Sequence, residues 1–186
     1  GSVTRVRSVA TRYADANTSK QRESRSRLRV AIRFYHRLAE TELRKVWYLA
    51  TKGTGKSGYN LFLKLNMMIF KPDGKIGDFV RLQLTVGRLQ KVNHLVVRVD
   101  EGDVVSVAWE REEDLPSAGK EDKFMVAVLY ADRSFSPEFV KTSGETRGDG
   151  KATFRLQRKR GTAAHLYCFF REKDGKAYSP SQHVRI

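Results

Sequence analysis

The chain has 186 residues, of which 40% are hydrophobic, and it carries a formal net charge of +15. This length is sufficient to bury a hydrophobic core without support from metals or disulfides. The single cysteine, Cys168, excludes a disulfide within the chain. No stretch approaches the roughly 18 consecutive apolar residues of a membrane-spanning helix, and no signal peptide is visible. These features slightly favour a cytoplasmic location and leave the compartment open.

The positive charge is concentrated near the start of the chain. Residues 1–60 contain 14 Lys and Arg residues against four Asp and Glu residues, so they account for +10 of the +15. The remaining residues have an ordinary mixed composition. A basic surface of this kind attracts polyanions such as nucleic acid, an acidic protein face or an anionic membrane surface. The same composition is also typical of a solvated helix face, and composition alone does not separate these cases.

The first strong structural signal is a capping box at residues 18–21. Thr18 and Gln21 have the spacing at which each side chain caps the backbone of the other, which predicts the start of a helix. Residues 1–16 are predicted to form an extended arm. An amphipathic helix with a break near residues 40–41 is predicted from apolar residues that recur every three or four positions: Leu28, Ile32, Tyr35, Ala39, Leu43, Val46 and Ala50. Another face of this helix bears five arginines, which we name the arginine ridge: Arg22, Arg25, Arg29, Arg33 and Arg37.

A second helical stretch is predicted after the glycine-rich loop at residues 53–58. Ser57 is the expected N-cap, and the helix is expected to run to about residue 70 with Phe62, Leu65 and Ile69 on one face. The Pro-Asp-Gly sequence at residues 72–74 ends it. We therefore predict a basic arm and helical region of two to three helices at residues 1–70, followed by a β domain at residues 71–186.

From residue 79 onward the hydrophobic period changes to two, which is the period of strands. Strands are predicted at residues 79–86, 95–99, 104–109, 124–130, 151–157, 165–170 and 178–186. Asp149-Gly150 and Asp174-Gly175 have the sequence of two-residue hairpin turns, and the acidic segment 110–122 is predicted to be an exposed loop. Because no helix is predicted between the strands, we assign the chain to the α+β class with an antiparallel sandwich that buries Trp109 and Tyr167.

Neither an enzymatic site nor a metal site is indicated. Residues 50–57 fit a permissive P-loop pattern, but a P-loop needs a buried strand before it, whereas residues 46–49 belong to a helical pattern. We expect no ATP binding there and interpret the glycines as a helix connection. The histidines lack the spacing of metal ligands, no carboxylate pair is spaced for acid–base chemistry, and Cys168 is interpreted as a buried apolar side chain. We predict a non-enzymatic protein without a cofactor or a small-molecule substrate.

Two basic clusters supply the candidate binding residues. The arginine ridge has the spacing at which a helix can follow a phosphate backbone, and Tyr13, Phe34 and Tyr35 supply aromatic rings nearby. The second cluster follows a predicted strand and consists of Arg158, Lys159 and Arg160. Both clusters have another explanation. The ridge can pack against the acidic residues at 110–114 or against another subunit, and charge at the end of an edge strand prevents unwanted strand pairing.

Several motifs, in the same order along the chain, resemble those of a bacterial domain family with no assigned activity. The segment from Thr18 to Leu28 resembles the helix opening T-x-x-Q-x-x-x-R-x-x-F, with Leu in place of the usual aromatic residue. Further similar segments lie at residues 59–66, 86–89, 105–109, 122–128, 149–154, 166–175 and 179–181. The resemblance implies an immunoglobulin-like or fibronectin type III-like sandwich behind the helical region, with Trp109 on an early strand and Tyr167 on a late one.

The functional interpretation is a non-enzymatic interaction or assembly protein with a protein partner or self-assembly. The helix opening is also similar to helical segments of phage and mobile-element structural proteins, which favours an assembly role by analogy alone. The alternative is a sequence-nonspecific nucleic-acid binder that uses the arginine ridge. This chain is richer in arginine along its first helix than the family that it resembles, so contact with a polyanion would be particular to it.

Overall fold

A computed structural model describes residues 17–111 and 115–186. In chain order its helices and strands are α1 (Ser19–Ala39), α2 (Leu43–Thr51), α3 (Gly58–Asn66), β1 (Val96–Val99), β2 (Val104–Ala108), β3 (Lys123–Tyr130), β4 (Glu138–Phe139), β5 (Lys151–Arg155), β6 (Ala164–Arg171) and β7 (Gln182–Arg185). The arm predicted at residues 1–16 lies outside the described residues. Among the helices described, none has the length and apolar character needed to cross a membrane.

The helix starts follow the predicted capping signals. The Gln21 amide donates to Thr18 Oγ1 at 3.3 Å, and the Thr18 amide donates to Gln21 Oε1 at 3.1 Å, which completes the capping box. Ser57 caps α3 by accepting a hydrogen bond from the Asn60 amide at 3.2 Å. The chain leaves helical geometry between α1 and α2 at the predicted break, so the helical region consists of three helices.

The seven strands form two antiparallel sheets. One sheet has the order β1-β2-β5, and the other has the order β4-β3-β6-β7. Each strand pairs only with antiparallel neighbours, and β3 and β6 form the longest ladder, in which Val126 lies opposite Cys168. The fold is therefore α+β, with an immunoglobulin-like sandwich of the fibronectin type III kind. The predicted fold class is confirmed.

The three helices form a third layer on the four-stranded sheet. Side chains on one face of β3 and β6, such as Leu129 and Tyr167, share a core with Phe34, Trp47 and Phe62 of the helices. The opposite face of the same strands packs against the β1-β2-β5 sheet. Both faces of β3 and β6 are therefore buried, whereas β2 and β5 alternate between buried and exposed residues. The division at residue 70 separates helical from β structure, and its status as a domain boundary stays a prediction.

The buried stripe of α1 lies one position away from the predicted one. Val30, Ala31, Phe34 and Leu38 are buried, while the predicted stripe residues of α1 are only half-buried. Phe34 takes the central position because its ring packs against aromatic rings of other segments. Centroid distances are 6.1 Å to Phe62, 5.3 Å to Phe70 and 5.5 Å to Phe135.

Residues 79–86, which were predicted to be a strand, form an irregular extended segment. Leu82 and Leu84 are buried, as the alternation predicts, but Val80 is 72% exposed. Most backbone hydrogen bonds of the segment go to side chains, although the Thr85 carbonyl accepts from the Ser181 amide at 3.4 Å. Asn66 accepts from the Gln83 amide at 2.9 Å and donates to the Gln83 carbonyl at 3.2 Å.

Asn66 also explains a wrong prediction in α3. Leu65 was predicted to share the buried face with Phe62 and Ile69, but it is 36% exposed. Asn66 is fully buried in its place, since its side-chain amide is needed to bind residue 83. A buried polar side chain of this kind is tolerated because both its donor and its acceptor are satisfied.

The predicted turns are confirmed in part. Asp174-Gly175 lies in the reversal after β6, where Glu172 and Ala177 are joined by a 2.9 Å backbone hydrogen bond around four residues instead of two. The hairpin prediction at Asp149-Gly150 is wrong, because β5 pairs with β2 instead of with the strand before it. Asp149 ends a 3-10 turn and accepts from the Thr146 amide at 2.7 Å.

The described residues of the acidic segment, 110–111 and 115–122, belong to no named helix or strand, but they are not exposed throughout. Asp122 is buried and lies 3.3 Å from Nε of the buried Arg147. The Arg147 guanidinium also donates to the Gln90 carbonyl at 2.9 Å and sits 3.8 Å from the centroid of the Phe170 ring. Burial raises the pKa of Asp122 above its ordinary value, although Arg147 acts in the opposite direction.

Trp109 and Tyr167 are buried, as predicted. Trp109 stacks on Phe124 with a centroid distance of 4.3 Å, and its indole Nε1 donates to the Arg147 carbonyl at 2.9 Å. Trp109 therefore joins the sandwich core to the turn that holds the buried arginine.

Replacing Trp109 should strongly destabilise the sandwich. We expect Trp109→Ala to lower the free energy of unfolding by about 3–5 kcal/mol, because it creates a cavity and removes the shorter of the two hydrogen bonds to the Arg147 carbonyl. Urea denaturation followed by circular dichroism measures this change. The control is Val80→Ala at an exposed position, where we expect little effect. An unchanged midpoint in Trp109→Ala would contradict the burial of this side chain.

A histidine pair helps to hold segment 79–86 against the four-stranded sheet. The Phe79 ring stacks on His165 at a centroid distance of 3.7 Å, and His165 Nδ1 lies 2.9 Å from His183 Nε2. The Tyr167 hydroxyl donates to the Phe79 carbonyl at 2.9 Å. The spacing of these histidines along the sequence gives no sign of this contact. Their adjacency follows from the pairing of β6 with β7, which a single sequence does not reveal.

Both histidines of the pair are harder to protonate than a histidine in water. Burial, aided by the neighbouring His183 and Arg185, lowers the pKa of His165 to about 4. Burial also lowers the pKa of His183, although the carboxylate of Asp78 opposes this shift. The folded state therefore keeps the pair neutral at pH values where an unfolded chain would bind protons.

Acidification should destabilise the protein through this pair. Between pH 6.5, the ordinary histidine pKa, and pH 4, the unfolded state binds protons that folded His165 does not bind. The free energy of unfolding should therefore fall as the pH falls through this range. We expect a smaller fall in His165→Gln, measured as the thermal midpoint at pH 7 and near pH 4, and a wild-type fall in the control His94→Gln at an exposed histidine. The same fall in all three proteins would contradict this role.

Candidate polyanion-binding surface

The five arginines of the ridge all lie on the exposed side of α1. At 100° per residue they fall within an arc of about 120°, and they extend over about 22 Å of the helix axis. The opposite side of α1 is fixed in the core by Val30, Phe34 and Leu38. The fold therefore places the whole arginine ridge toward solvent on a firmly packed helix.

The ridge arginines differ in their contacts within the chain. Arg37 lies 3.2 Å from Glu40 in an exposed ion pair, which is a weak interaction. Arg33 donates to the Gly74 carbonyl at 3.3 Å, and its guanidinium lies 4.7 Å from the centroid of the Phe135 ring. Within the described part of the chain, Arg22 and Arg29 form no side-chain ion pair.

The packing of the ridge against the acidic segment 110–114 is not seen among the described residues. Glu110 instead lies 3.3 Å from His94, and residues 112–114 are outside the described part of the chain. The contacts of Arg33 and Arg37 go to other segments, so this explanation for the ridge has no structural support.

The second basic cluster is only partly available to a ligand. The side chain of Arg158 is largely buried, and its Nε and Nη2 atoms donate to Asp103 Oδ1 at 2.9 and 2.7 Å. Its Nη1 donates to the carbonyls of Thr162 and Ile186 at 2.9 and 3.2 Å. The donors of Arg158 join the β1–β2 turn to the end of the chain, so contact of Arg158 with a polyanion would have to compete with these bonds.

The remaining basic residues of this cluster, Lys159 and Arg160, are exposed. They lie in the connection between β5 and β6. None of the described contacts connects this cluster to the arginine ridge.

The three aromatic residues predicted to lie near the ridge differ in where the structure places them. Phe34 is fully buried and belongs to the core, so its proposed place at a ligand surface is wrong. Tyr35 is half-buried and meets Tyr59 edge-on with a centroid distance of 5.3 Å. Burial raises the pKa of its hydroxyl above the ordinary value, although nearby Arg44 opposes this. Tyr13 lies outside the described residues.

The glycine-rich loop does not have the setting of a P-loop. The helix α2 precedes it, as the helical pattern of residues 46–49 predicted, and no parallel strand is present in the described sheets. Gly53 and Gly55 have φ values of 80° and 67°, which suit glycine. At Gly58, a Cβ atom would lie 2.8 Å from the Trp47 carbonyl oxygen, so the glycine allows the start of α3 to touch α2.

A cavity of about 500 Å³ lies beside this loop, and we name it the tyrosine pocket. Three helices contribute to it. Its aromatic lining consists of Tyr35, Tyr48 and Tyr59, and its charged lining consists of Arg44, Lys52 and Lys56. No carboxylate is among its described lining residues, so the cavity is positive and aromatic. The sequence does not predict this pocket, because its lining residues come from separate segments.

An apolar groove of about 710 Å³ lies on the other side of α2. Leu49 of α2 and Leu61 and Leu65 of α3 form one wall, and Val86 and Ala177 belong to the other. The rim includes cationic side chains, but Arg88 lies 3.4 Å from Glu172, so part of this charge is compensated.

Three chemically reactive side chains, Cys168, His165 and His183, lie on β6 and β7 of the sandwich. Burial raises the pKa of the Cys168 thiol to about 12, so it is not a nucleophile near neutral pH. His165 and His183 contact each other, but the described residues contain no cluster of three or more potential metal ligands. The surfaces described above are the arginine ridge, the tyrosine pocket and the apolar groove.

Comparisons with known proteins return solved structures of low sequence identity and no family. No family model matches the chain, and no curated protein matches it. Among solved structures, a fibronectin type III domain of human contactin 1 is 15% identical with a TM-score of 0.37, and the match covers 54% of this chain and 77% of that one. The FN1–FN3 domains of chicken CNTN1 match at 14% identity and a TM-score of 0.40, covering 55% of this chain and 32% of that one. The Clostridium perfringens spore cortex lytic enzyme SleM matches at 12% identity and a TM-score of 0.36, with coverages of 55% and 29%.

Proposed function

We propose that this chain is a non-enzymatic interaction protein that binds a polyanion of the nucleic-acid class along α1. The observation that supports this function best is the arginine ridge, in which five exposed arginines follow one face of a helix. Arginine donates several hydrogen bonds to phosphate in a fixed geometry, and a row of arginines neutralises successive phosphates.

The packing of α1 adds to this argument. A helix whose apolar side is buried presents its arginines without a further ordering step, which reduces the free-energy cost of binding. Because the contacts are to the backbone of the ligand, this surface should bind without sequence preference. The exposed Lys159 and Arg160 are a secondary contact in this proposal, and the binding involves no cofactor.

The salt dependence of DNA binding tests the ridge directly. If all five arginines contact phosphates, the slope of log K against log salt for duplex DNA should be about −4.5. We expect Arg22, Arg25 and Arg29→Gln together to flatten this slope by about 2.7. These three are neighbours on the exposed face of α1, and replacing them leaves the contacts of Arg33 and Arg37 intact.

The control variant removes equal charge elsewhere. Arg98, Lys141 and Lys151 are exposed residues of the β part, and their triple replacement by Gln should leave the slope near the wild-type value. Fluorescence anisotropy at several salt concentrations measures both variants. If the two variants change the slope equally, binding reflects net charge alone and the ridge is not the site.

The second candidate function is assembly with copies of the same chain through the apolar groove. It is favoured by Leu65, an exposed leucine on the wall of the 710 Å³ groove. Apolar surface gathered in a groove is typical of a protein-binding surface. The similarity of the α1 opening to helical segments of phage and mobile-element structural proteins agrees with this role.

Self-assembly predicts a mass that rises with protein concentration. We expect Leu65→Arg to abolish this rise in sedimentation equilibrium, because it places a charge in the groove. The matched control is Met68→Arg, at another exposed apolar residue outside the groove lining, which should assemble like the wild type. A wild-type protein that stays monomeric at high concentration would exclude this candidate.

A further inference from the structure

We infer that the tyrosine pocket holds one unstacked base and the adjoining phosphate of a single-stranded nucleic acid. This inference rests on the proposed polyanion function and adds to it the strand state of the ligand and a second contact site. It is based on the observation that three tyrosines and three cationic side chains line one cavity.

The aromatic side of the pocket supplies a stacking surface. Tyr48 projects from α2 and is 62% exposed, so its ring is available to a ligand. Tyr35 and Tyr59 contact each other edge-on at the wall of the same cavity. Stacking on exposed tyrosine is a general way to bind a nucleobase, since every base has an aromatic face.

The charged side of the pocket supplies donors for a phosphate. Arg44 on α2 and Lys52 and Lys56 in the loop line the cavity, and none of them forms an ion pair among the described residues. The first-turn amides of α3 at Gly58 and Tyr59 have no acceptor within the helix. These amides would supplement the three cationic side chains, which are the main phosphate donors in this inference.

The loop leaves room for a ligand to approach its backbone. At Gly53 and Gly55 nothing lies within 4 Å of the position that a Cβ atom would take. The cavity volume of about 500 Å³ is within the range of small-ligand sites and is sufficient for a nucleotide unit. The site is unlike a P-loop, since its aromatic wall is formed by helices and it requires no metal.

The position of the pocket explains why the ligand should be single-stranded. In a duplex the bases are stacked on one another inside the helix, so a base reaches a protein aromatic ring only where the strand is unpaired. At 100° per residue, Tyr35 lies about 140° around α1 from the centre of the arginine ridge. The pocket is therefore a second contact site on another side of α1, and it is tested separately from the ridge.

The test compares three probes of equal length: oligodeoxythymidylate, the same strand with abasic sugars, and a duplex. We expect Tyr48→Ala to weaken binding of oligodeoxythymidylate about 5- to 150-fold, as the loss of one base–aromatic stack does. Binding of the abasic strand and the duplex should not change. Because Tyr48 is exposed, this replacement should not affect folding, and thermal melting checks this.

Three further variants sharpen the result. Tyr48→Phe keeps the aromatic ring and should bind oligodeoxythymidylate like the wild type. Met68→Ala, at an exposed residue outside the pocket lining, is the control and should also bind normally. Lys56→Gln should flatten the salt slope for the single strand by about 0.7, which corresponds to one phosphate contact.

The inference is overturned if Tyr48→Ala binds oligodeoxythymidylate as tightly as the wild type. It is also overturned if the loss is equal for the abasic strand, because the ring would then not stack on a base. These outcomes are separate from those of the ridge experiment. If the ridge variant leaves the duplex slope unchanged while the Tyr48 effect remains, the pocket stands as a single-strand site and the proposed duplex contact fails.

Discussion

The arrangement of the whole chain depends on the burial of β3 and β6 on both faces. A sandwich strand usually has one face in the core and one in solvent, but here the second face bears apolar residues such as Leu129, Tyr167 and Phe169. These side chains require a cover, and the three helices provide it. The orientation of α1 follows from this requirement, because turning its apolar side toward the sheet leaves the arginine ridge no position except the outer surface of the helical layer.

Arginine has two opposite roles in this fold, and net charge does not distinguish them. Arg147 and Arg158 use their donors inside the chain, against carboxylates, carbonyls and an aromatic ring. Arg22 and Arg29 project from α1 into solvent. A buried arginine ion pair contributes to a unique arrangement of loops and is difficult to break, whereas exposed arginines remain free to exchange counterions for phosphates. The +15 charge of the chain therefore overstates its binding surface.

The sequence predicted the local features well and the long-range ones poorly. Capping boxes and alternation act over a few residues, so the start of α1, the Ser57 cap and most strands were predictable. Residues 79–86 have the period of a strand because one side of them is buried, but their backbone partner is Asn66, which no short pattern reveals. The unbroken apolar sequences of β3 and β6 indicated burial on two sides and could have predicted the third layer. The tyrosine pocket and the histidine pair form only through tertiary contacts.

The position of Cys168 makes the protein suitable for site-specific labelling. Its thiol is fully buried at the centre of β6, between the paired strands β3 and β7, and its raised pKa keeps it in the unreactive thiol form. A cysteine introduced on the surface would therefore react with maleimide dyes while the native cysteine stays protected, without any need to remove it. The native thiol becomes reactive only when the central sheet opens. Its rate of modification thus reports the opening of the core, independently of events at the helical surface.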